Sequence, residues 1–245
     1  MAIRFPTMAE RPDLRPRARA LMDVWPPFMH HDPVANRYFG RVRDQYDYLQ
    51  FFAWEDELDD VVAEGNVVPA GWDGDPESLS DGGLDAVLEA SFSDRTSSFN
   101  VLSALQIVIS GGYQGRGLSA RMIERMAEIG RSHGYASLIA PVRPSWKHRY
   151  PLADIDRYVA WRRGDGSHVD PWLRTHERIG GEILGVAHRS MIVPGTVADW
   201  EEWTEMTFPE SGPYVVPGAL VPIEIDLERG HGLYVEPNVW VLHRL

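Results

Sequence analysis

The chain has 245 residues, no cysteine and a formal net charge of −12. Its length suits one large domain or one domain with insertions, and 44% apolar residues are enough for a real core. The acidic balance argues against a general nucleic-acid binder, and the missing cysteines exclude a disulfide framework, thiolate zinc sites and a cysteine nucleophile.

No apolar stretch approaches the ~20 residues of a membrane span. The opening MAIRFPTMAERPDLRPRAR lacks the apolar centre of a signal peptide, so a soluble cytoplasmic protein is expected, with no membrane and no nucleic-acid partner. In chain order, Ala2 to Phe5 reads as a short strand, Leu14 to Trp25 as a helix, and Pro33 to Gln45 as a second helix. The aromatic run YLQFFAW, Tyr48 to Trp54, reads as a strand. The charge run EDELDD, Glu55 to Asp60, reads as a solvated turn. A strand within Val61 to Trp72, a helix over Leu84 to Phe92, a strand over Ser103 to Ser110, a helix over Gly117 to Arg131 and a strand over Ala136 to Val142 follow. Arg143 to His168 is aromatic and basic and interrupts the pattern. A short helix over Pro171 to Ile179 is entered through Asp170, a good cap with proline after it. Glu182 to Val193 suggests a strand, Thr196 with Asp199 has capping-box spacing, and Tyr214 to Leu227 with Gly232 to His243 suggests a final antiparallel hairpin. Interspersed strands and helices indicate an α/β (α+β) protein with a mixed sheet.

Gly111, Gly112, Gly115 and Gly117 fall between an apolar strand and an amphipathic helix whose apolar face is Leu118, Met122, Ile123, Met126 and Ile129. A helix N-terminus offers unpaired N–H groups and the positive end of the dipole, and glycines let the backbone curl round an anion. Arg116 adds a charge, and Gln114 and Ser119 add neutral donors. A pyrophosphate site is therefore expected. A P-loop would need a lysine, which is missing here. A Rossmann site would need a third glycine, where Ala120 stands, and an acid at the end of the next strand, where Ala140 and Pro141 stand.

Gln114-Gly115-Arg116-Gly117-Leu118-Ser119 resembles the Q/R-x-x-G-x-G/A pyrophosphate loop of the GNAT superfamily, the acyl-CoA-dependent N-acyltransferases. Ser119 departs from the glycine or alanine of that pattern but is small enough for close backbone approach. The order of strands and helices resembles the superfamily along most of the chain. The resemblance implies one domain over 1–245, with an insertion at about 143–168. Its sheet would be mixed and mostly antiparallel, splayed at the acyl-CoA site, flanked by helices and closed by a C-terminal hairpin. It implies acetyl-CoA as co-substrate and no metal. Ile107, Val108 and Ile109 would line the pantetheine, and Gln114, Gly115, Arg116, Gly117, Leu118 and Ser119 would hold the pyrophosphate. The implied chemistry is direct attack on the thioester by a small-molecule primary amine. The family's frequent dimers admit a homodimer.

Many members of the family use a tyrosine four residues before a glycine to protonate the leaving thiolate. Here that stretch is His176-Glu177-Arg178-Ile179-Gly180, which puts His176 in the tyrosine's place, with a pKa suited to the task. No Asp or Glu lies in Asn100 to Ser110, leaving Glu55, Asp56 and Glu236 as candidate bases. A coenzyme A-binding module without catalysis is the rival from another class. His30-His31-Asp32 has no partner at ligand spacing and borders the acceptor side if the resemblance holds. Trp146, Lys147, His148, Arg149, Tyr150, Tyr158 and Trp161 form either an acceptor wall or extra packing, and Trp200 and Trp203 are expected to pack on one helical face.

Overall fold

A computed structural model describes residues 2–93 and 99–245. Among these residues nine strands form one sheet: β1 (Ile3–Arg4), β2 (Phe51–Glu55), β3 (Asp60–Ala70), β4 (Val101–Ile109), β5 (Ser137–Val142), β6 (Glu182–Thr196), β7 (Gly212–Tyr214), β8 (Ile223–Asp226) and β9 (His231–Arg244). Their order is β1-β2-β3-β4-β5-β9-β8-β7, with β6 also paired to β9. Among the described residues every pairing is antiparallel except β4 with β5. This is the mixed, mostly antiparallel α/β architecture expected.

Helices cover both faces, which is why β2 is buried throughout and apolar up to Glu55. On one face lie α1 (Pro33–Gln45), α2 (Gly83–Ser91) and α6 (Val197–Thr204), over a core holding Phe28, Val42, Leu88, Trp200, Tyr234 and Trp240. On the other, α3 (Leu118–Ser132) sets Leu118, Met122, Ile123, Met126 and Ile129 against Phe51, Val67, Leu102 and Leu138. That is the apolar face read from the helical spacing, and each side chain contributes about 1.5–3 kcal/mol on burial.

Three expectations need correction, and one feature is added at Asp32. The segment Leu14 to Trp25 is not an α-helix but 3₁₀ turns over Pro12–Leu14 and Arg17–Val24, because Pro16 between them has no N–H to carry an α-helical ladder. Glu55 is no solvated turn residue: it ends β2, fully buried, and its carboxylate accepts the N–H groups of Glu57 and Leu58. The final hairpin is shorter than expected, since β8 meets β9 only from Glu224 to Asp226 while β6 pairs β9 along nearly its whole length. Asp32 is the N-cap of α1, accepting from the N–H of Ala35 at 2.8 Å, and among the described residues no group of side chains could hold a metal ion.

The segment between β5 and α5 (Pro171–Arg178) folds into a 3₁₀ turn at Lys147–Arg149 and the short helix α4 (Ile155–Val159). Tyr158, Lys147 and His168 of this segment are buried, whereas His148, Arg149, Arg157, Arg162 and Arg163 are exposed. The buried Lys147 ammonium donates to the carbonyls of Tyr150 (3.0 Å) and Leu220 (2.7 Å), and the buried Tyr158 hydroxyl donates to Asp170 at 2.8 Å. Asp170 joins this segment to α5. Its fully buried carboxylate also accepts the N–H groups of Trp146 (2.7 Å), Trp172 (2.8 Å) and Leu173 (3.1 Å). Asp170→Ala removes a helix cap and leaves buried donors unpaired, so it is expected to cost about 3 kcal/mol in urea unfolding. Asp170→Asn, which keeps an acceptor oxygen, is expected to cost less.

Candidate active site

The sheet opens between its two parallel strands. β4 and β5 are in register only at Leu102–Leu138 and Ser103–Ile139. Beyond that point a bulge shifts β4 against β3, so that Asn66 faces Gln106 while Val67 faces Ala104. A bulge bends the strand that carries it. On the other side, Pro141 has no N–H to extend a ladder. The mouth so formed belongs to a cavity of about 900 Å³ that runs from the glycine loop, past β4 and β5, to α1 and β9.

At the loop end, Gly115 and Gly117 have φ of +73° and +80°, a region that glycine enters without strain. Gly117 is the N-cap of α3, and no side chain caps that helix, so its first N–H groups are free for an anion. The Gln114 side chain donates to the Ile109 carbonyl at 3.2 Å, tying the loop to β4. Of the residues expected at the pantetheine and pyrophosphate, Ile107, Val108, Ile109, Gln114, Gly115 and Ser119 line the cavity, whereas Arg116, Gly117 and Leu118 do not. Leu118 is a core residue, 2% exposed, so only its backbone is available to a ligand. The Arg116 guanidinium lies over the Tyr113 ring.

At the middle, His176 on α5 lies on the cavity wall but is 3% exposed. Its Nδ1 is 2.8 Å from Nε2 of His243, the Trp172 ring lies edge-on to it, and its own Nε2 has no partner. Burial, with the neighbouring His243 adding to it, pushes the His176 pKa down to about 3. The ring is therefore neutral at pH 7, a correction to the idea that its solution pKa suits it to donate as an imidazolium.

At the far end, Glu236 of β9 is fully buried. It accepts both oxygens' worth of bonds from Arg143 Nε (3.0 and 2.9 Å), one from Tyr234 Oη (2.8 Å) and one from Asn238 Nδ2 (3.2 Å). Arg43 of α1 pairs likewise with the buried Glu64 of β3 at 2.8 Å. Behind this wall, Asp32 Oδ2 and Asp85 Oδ1 are buried with no hydrogen-bond partner among the described residues, and each acid shifts the other's ionisation. Burial foremost, then the charge of Asp32, raises the Asp85 pKa to about 8, and burial raises Asp32, so the pair holds one proton at neutral pH. Of the other residues considered from sequence, Arg143, His148 and His30 line the cavity, and His31 stacks on Trp203, which meets Trp200 edge-on. Neither Glu55 nor Asp56 reaches the cavity.

Several lining groups were not singled out from the sequence: Gln106, Arg43, Asn238 and His243, with Asp85 behind them. A signal existed for some. Glu64 and Asn66, like Glu236 and Asn238, are polar residues two apart within mostly apolar stretches of strand, the mark of a polar patch on one sheet face.

No family model matches the chain. An arginine N-acetyltransferase, avaD, of Aspergillus versicolor is 29% identical over 269 aligned residues, 97% of this chain and 92% of the relative. The loading GNATL domain of CurA from Lyngbya majuscula superposes with a TM-score of 0.61 at 20% identity, over 99% of this chain and 96% of that one. The GphF GNAT-like decarboxylase, solved with isobutyryl-CoA, superposes with a TM-score of 0.59 at 16% identity, over 100% and 99%. The chain thus has the fold of these GNAT-like domains and is similar along nearly its whole length to an N-acetyltransferase. Its splayed β4–β5 pair and uncapped α3 N-terminus are the features on which the loop resemblance depends, and both lie on one cavity. Among the described residues, no helix is long and apolar enough to cross a membrane.

The Asp32–Asp85 pair predicts a pH effect. Between about pH 4 and pH 8 the native pair keeps a proton that the unfolded chain has released, so its contribution to stability falls as pH rises. Asp85→Asn replaces the shared proton by an amide donor. Relative to wild type, the variant is expected to gain more than about 1 kcal/mol between pH 5 and pH 8, the equivalent of one pKa unit. Urea unfolding of both proteins at the two pH values measures it, and effects of the shared His176–His243 pair cancel in the difference.

Proposed function

We propose that this protein transfers an acyl group, acetyl foremost, from acyl-CoA to the primary amine of a small cationic acceptor such as arginine or a related compound, in the cytoplasm. The observation that carries the reading is the β4–β5 gap. It leaves β4 backbone groups without a strand partner, where an extended pantetheine arm adds as a strand would. The free N–H groups of α3, entered through Gly115 and Gly117, receive the pyrophosphate.

The acceptor proposal rests on charge and on the named relative, an arginine N-acetyltransferase. In the far half of the cavity Arg143 is balanced by Glu236 and Arg43 by Glu64. The Asp32–Asp85 pair then leaves about one negative charge behind the wall, which favours a cation.

In the reaction the neutral amine nitrogen attacks the thioester carbonyl carbon. The C–N bond forms, the C–S bond breaks, and one proton moves from the nitrogen to the thiolate. His176 faces this step as a neutral imidazole. In the tautomer in which His243 Nε2 donates to its Nδ1, the His176 proton sits on Nε2 and offers a hydrogen bond to the developing thiolate. Because no imidazolium is needed, kcat/KM for the amine is expected to rise with pH from 6 to 9 as the acceptor loses its proton, without a fall near pH 6.5. His176→Phe is expected to lower kcat roughly 10²-fold while acetyl-CoA affinity stays within about twofold of wild type, the two quantities being read by thiol release and calorimetry.

Gly117→Val is expected to weaken acetyl-CoA binding at least tenfold, since an L side chain in the left-handed region costs about 1–2 kcal/mol and stands where phosphate must approach. Micromolar binding by wild type that the variant loses supports the loop's role. Acetyl-CoA binding without transfer to any amine would instead favour a coenzyme A-binding module.

A further inference from the structure

Gln106 sits on β4 where that strand leaves β5, on the cavity wall. Opposed residues of an antiparallel pair share a face, so Gln106 lies beside Asn66, and Val108 beside Glu64, on the side covered by α1. Its side chain is the end of a line of three amides. Gln50 is fully buried and placed against Val67 at the bulge, where the ladder is interrupted. The backbone of Val67 leaves it one orientation: Gln50 Oε1 accepts the Val67 N–H at 3.0 Å, and Gln50 Nε2 donates to the Val67 carbonyl at 2.9 Å and the Tyr46 carbonyl at 2.8 Å. Gln50 Oε1 then requires a donor from Asn66, whose Nδ2 supplies it at 3.2 Å. Asn66 Oδ1 in turn requires a donor from Gln106, whose Nε2 supplies it at 2.7 Å.

Each amide in the line can satisfy its neighbour in one sense only. The consequence falls on Gln106: its nitrogen is committed to the sheet, and its carbonyl oxygen, with no partner among the described residues, is the group left to the cavity. An exchange of oxygen and nitrogen at Gln106 would set nitrogen against nitrogen or oxygen against oxygen along the line back to Val67.

We propose that Gln106 Oε1 is the group that receives the incoming amine, accepting one N–H of its nitrogen and holding it against the thioester. The inference rests on the acyl-transfer reading and deepens it by specifying the acceptor chemistry. Gln106 neither takes nor gives a proton, since an amide oxygen is only an acceptor near neutral pH. A primary amine has two N–H groups: one is lost to the leaving sulfur, and the other stays on Gln106 and becomes the amide N–H of the product. A secondary amine has a single N–H, which the reaction consumes, so none remains to be held. The site therefore selects primary over N-methylated amines, with Asn66 and Gln50 as positioning residues behind Gln106.

The test uses the full chain with L-arginine, agmatine and phenethylamine, each beside the derivative methylated on its primary amine, in thiol-release assays with acetyl-CoA. Calorimetry of the same amines into CoA-saturated protein gives a reading that needs no turnover. Wild type is expected to prefer the primary amine of its best pair at least about tenfold in kcat/KM, one good hydrogen bond's worth. Gln106→Leu is expected to lose that preference, with amine binding weakened at least about tenfold and acetyl-CoA affinity unchanged. Gln106→Met, of matching length, covers a failure of the leucine variant to fold. A Gln106 variant that keeps both amine affinity and the primary-amine preference overturns the inference and leaves the acyl-transfer reading standing. Wild type that binds acetyl-CoA but neither binds nor acylates any of the six amines overturns both.

Discussion

Two registered pairs are all that join β4 to β5, and the rest of the molecule is arranged around that short contact. A parallel ladder in mid-sheet would normally continue, because unpaired backbone groups in an interior are costly. Here the bulge on β4 and Pro141 on β5 end it. The nine-stranded sheet is thereby two sheets hinged at Leu102 and Ser103, with the cavity in the notch. The long β6–β9 pairing and the β3–β4 pairing hold the two halves rigid on either side. What remains open is a strand edge of fixed position, which suits a long, flexible, amide-bearing ligand better than a compact one.

The second constraint is charge. Four ionic groups stand in two Arg–Glu pairs with buried glutamates at the acceptor half, and two more carboxyls stand behind them. Removing one partner of such a pair would leave an uncompensated charge, so the pairs fix α1 to β3, and the β5 end to β9. Neutral groups line the cavity between these pairs: the Gln106 carbonyl, the Asn238 amide and the uncharged His176 ring. On the proposed reading, a neutral wall over a buried negative charge lets an amine be bound by its cationic portion and still present a neutral nitrogen.

The fold was legible where one face or one loop decided it. Strands Val101–Ile109 and Ser137–Val142, the helix that begins at Leu118 and the cap at Asp170 follow from apolar periodicity and capping chemistry alone. The glycine loop was legible because positive φ leaves few substitutes for Gly115 and Gly117. The acceptor half was not. Gln50, Asn66 and Gln106 are 16 and 40 residues apart along the chain and meet only through strand register, which no local pattern prescribes. Glu55 misled for the opposite reason: it stands first in a charge run, but the strand carries it inside, where two backbone N–H groups hold it. His176 was found by its spacing to Gly180, while its neutrality comes from burial, to which His243 of the last strand adds.

The central claim is that the β4–β5 gap with the α3 N-terminus is where acyl-CoA binds, and amide hydrogen exchange with and without acetyl-CoA tests it most directly. The account predicts slowed exchange confined to two stretches, the β4 amides from Ala104 to Ile109 and the loop and helix amides from Gln114 to Ser119, with the β6–β9 pairing unchanged. Binding that leaves both stretches unprotected, or that protects the far end of the cavity near Glu236 alone, would contradict it.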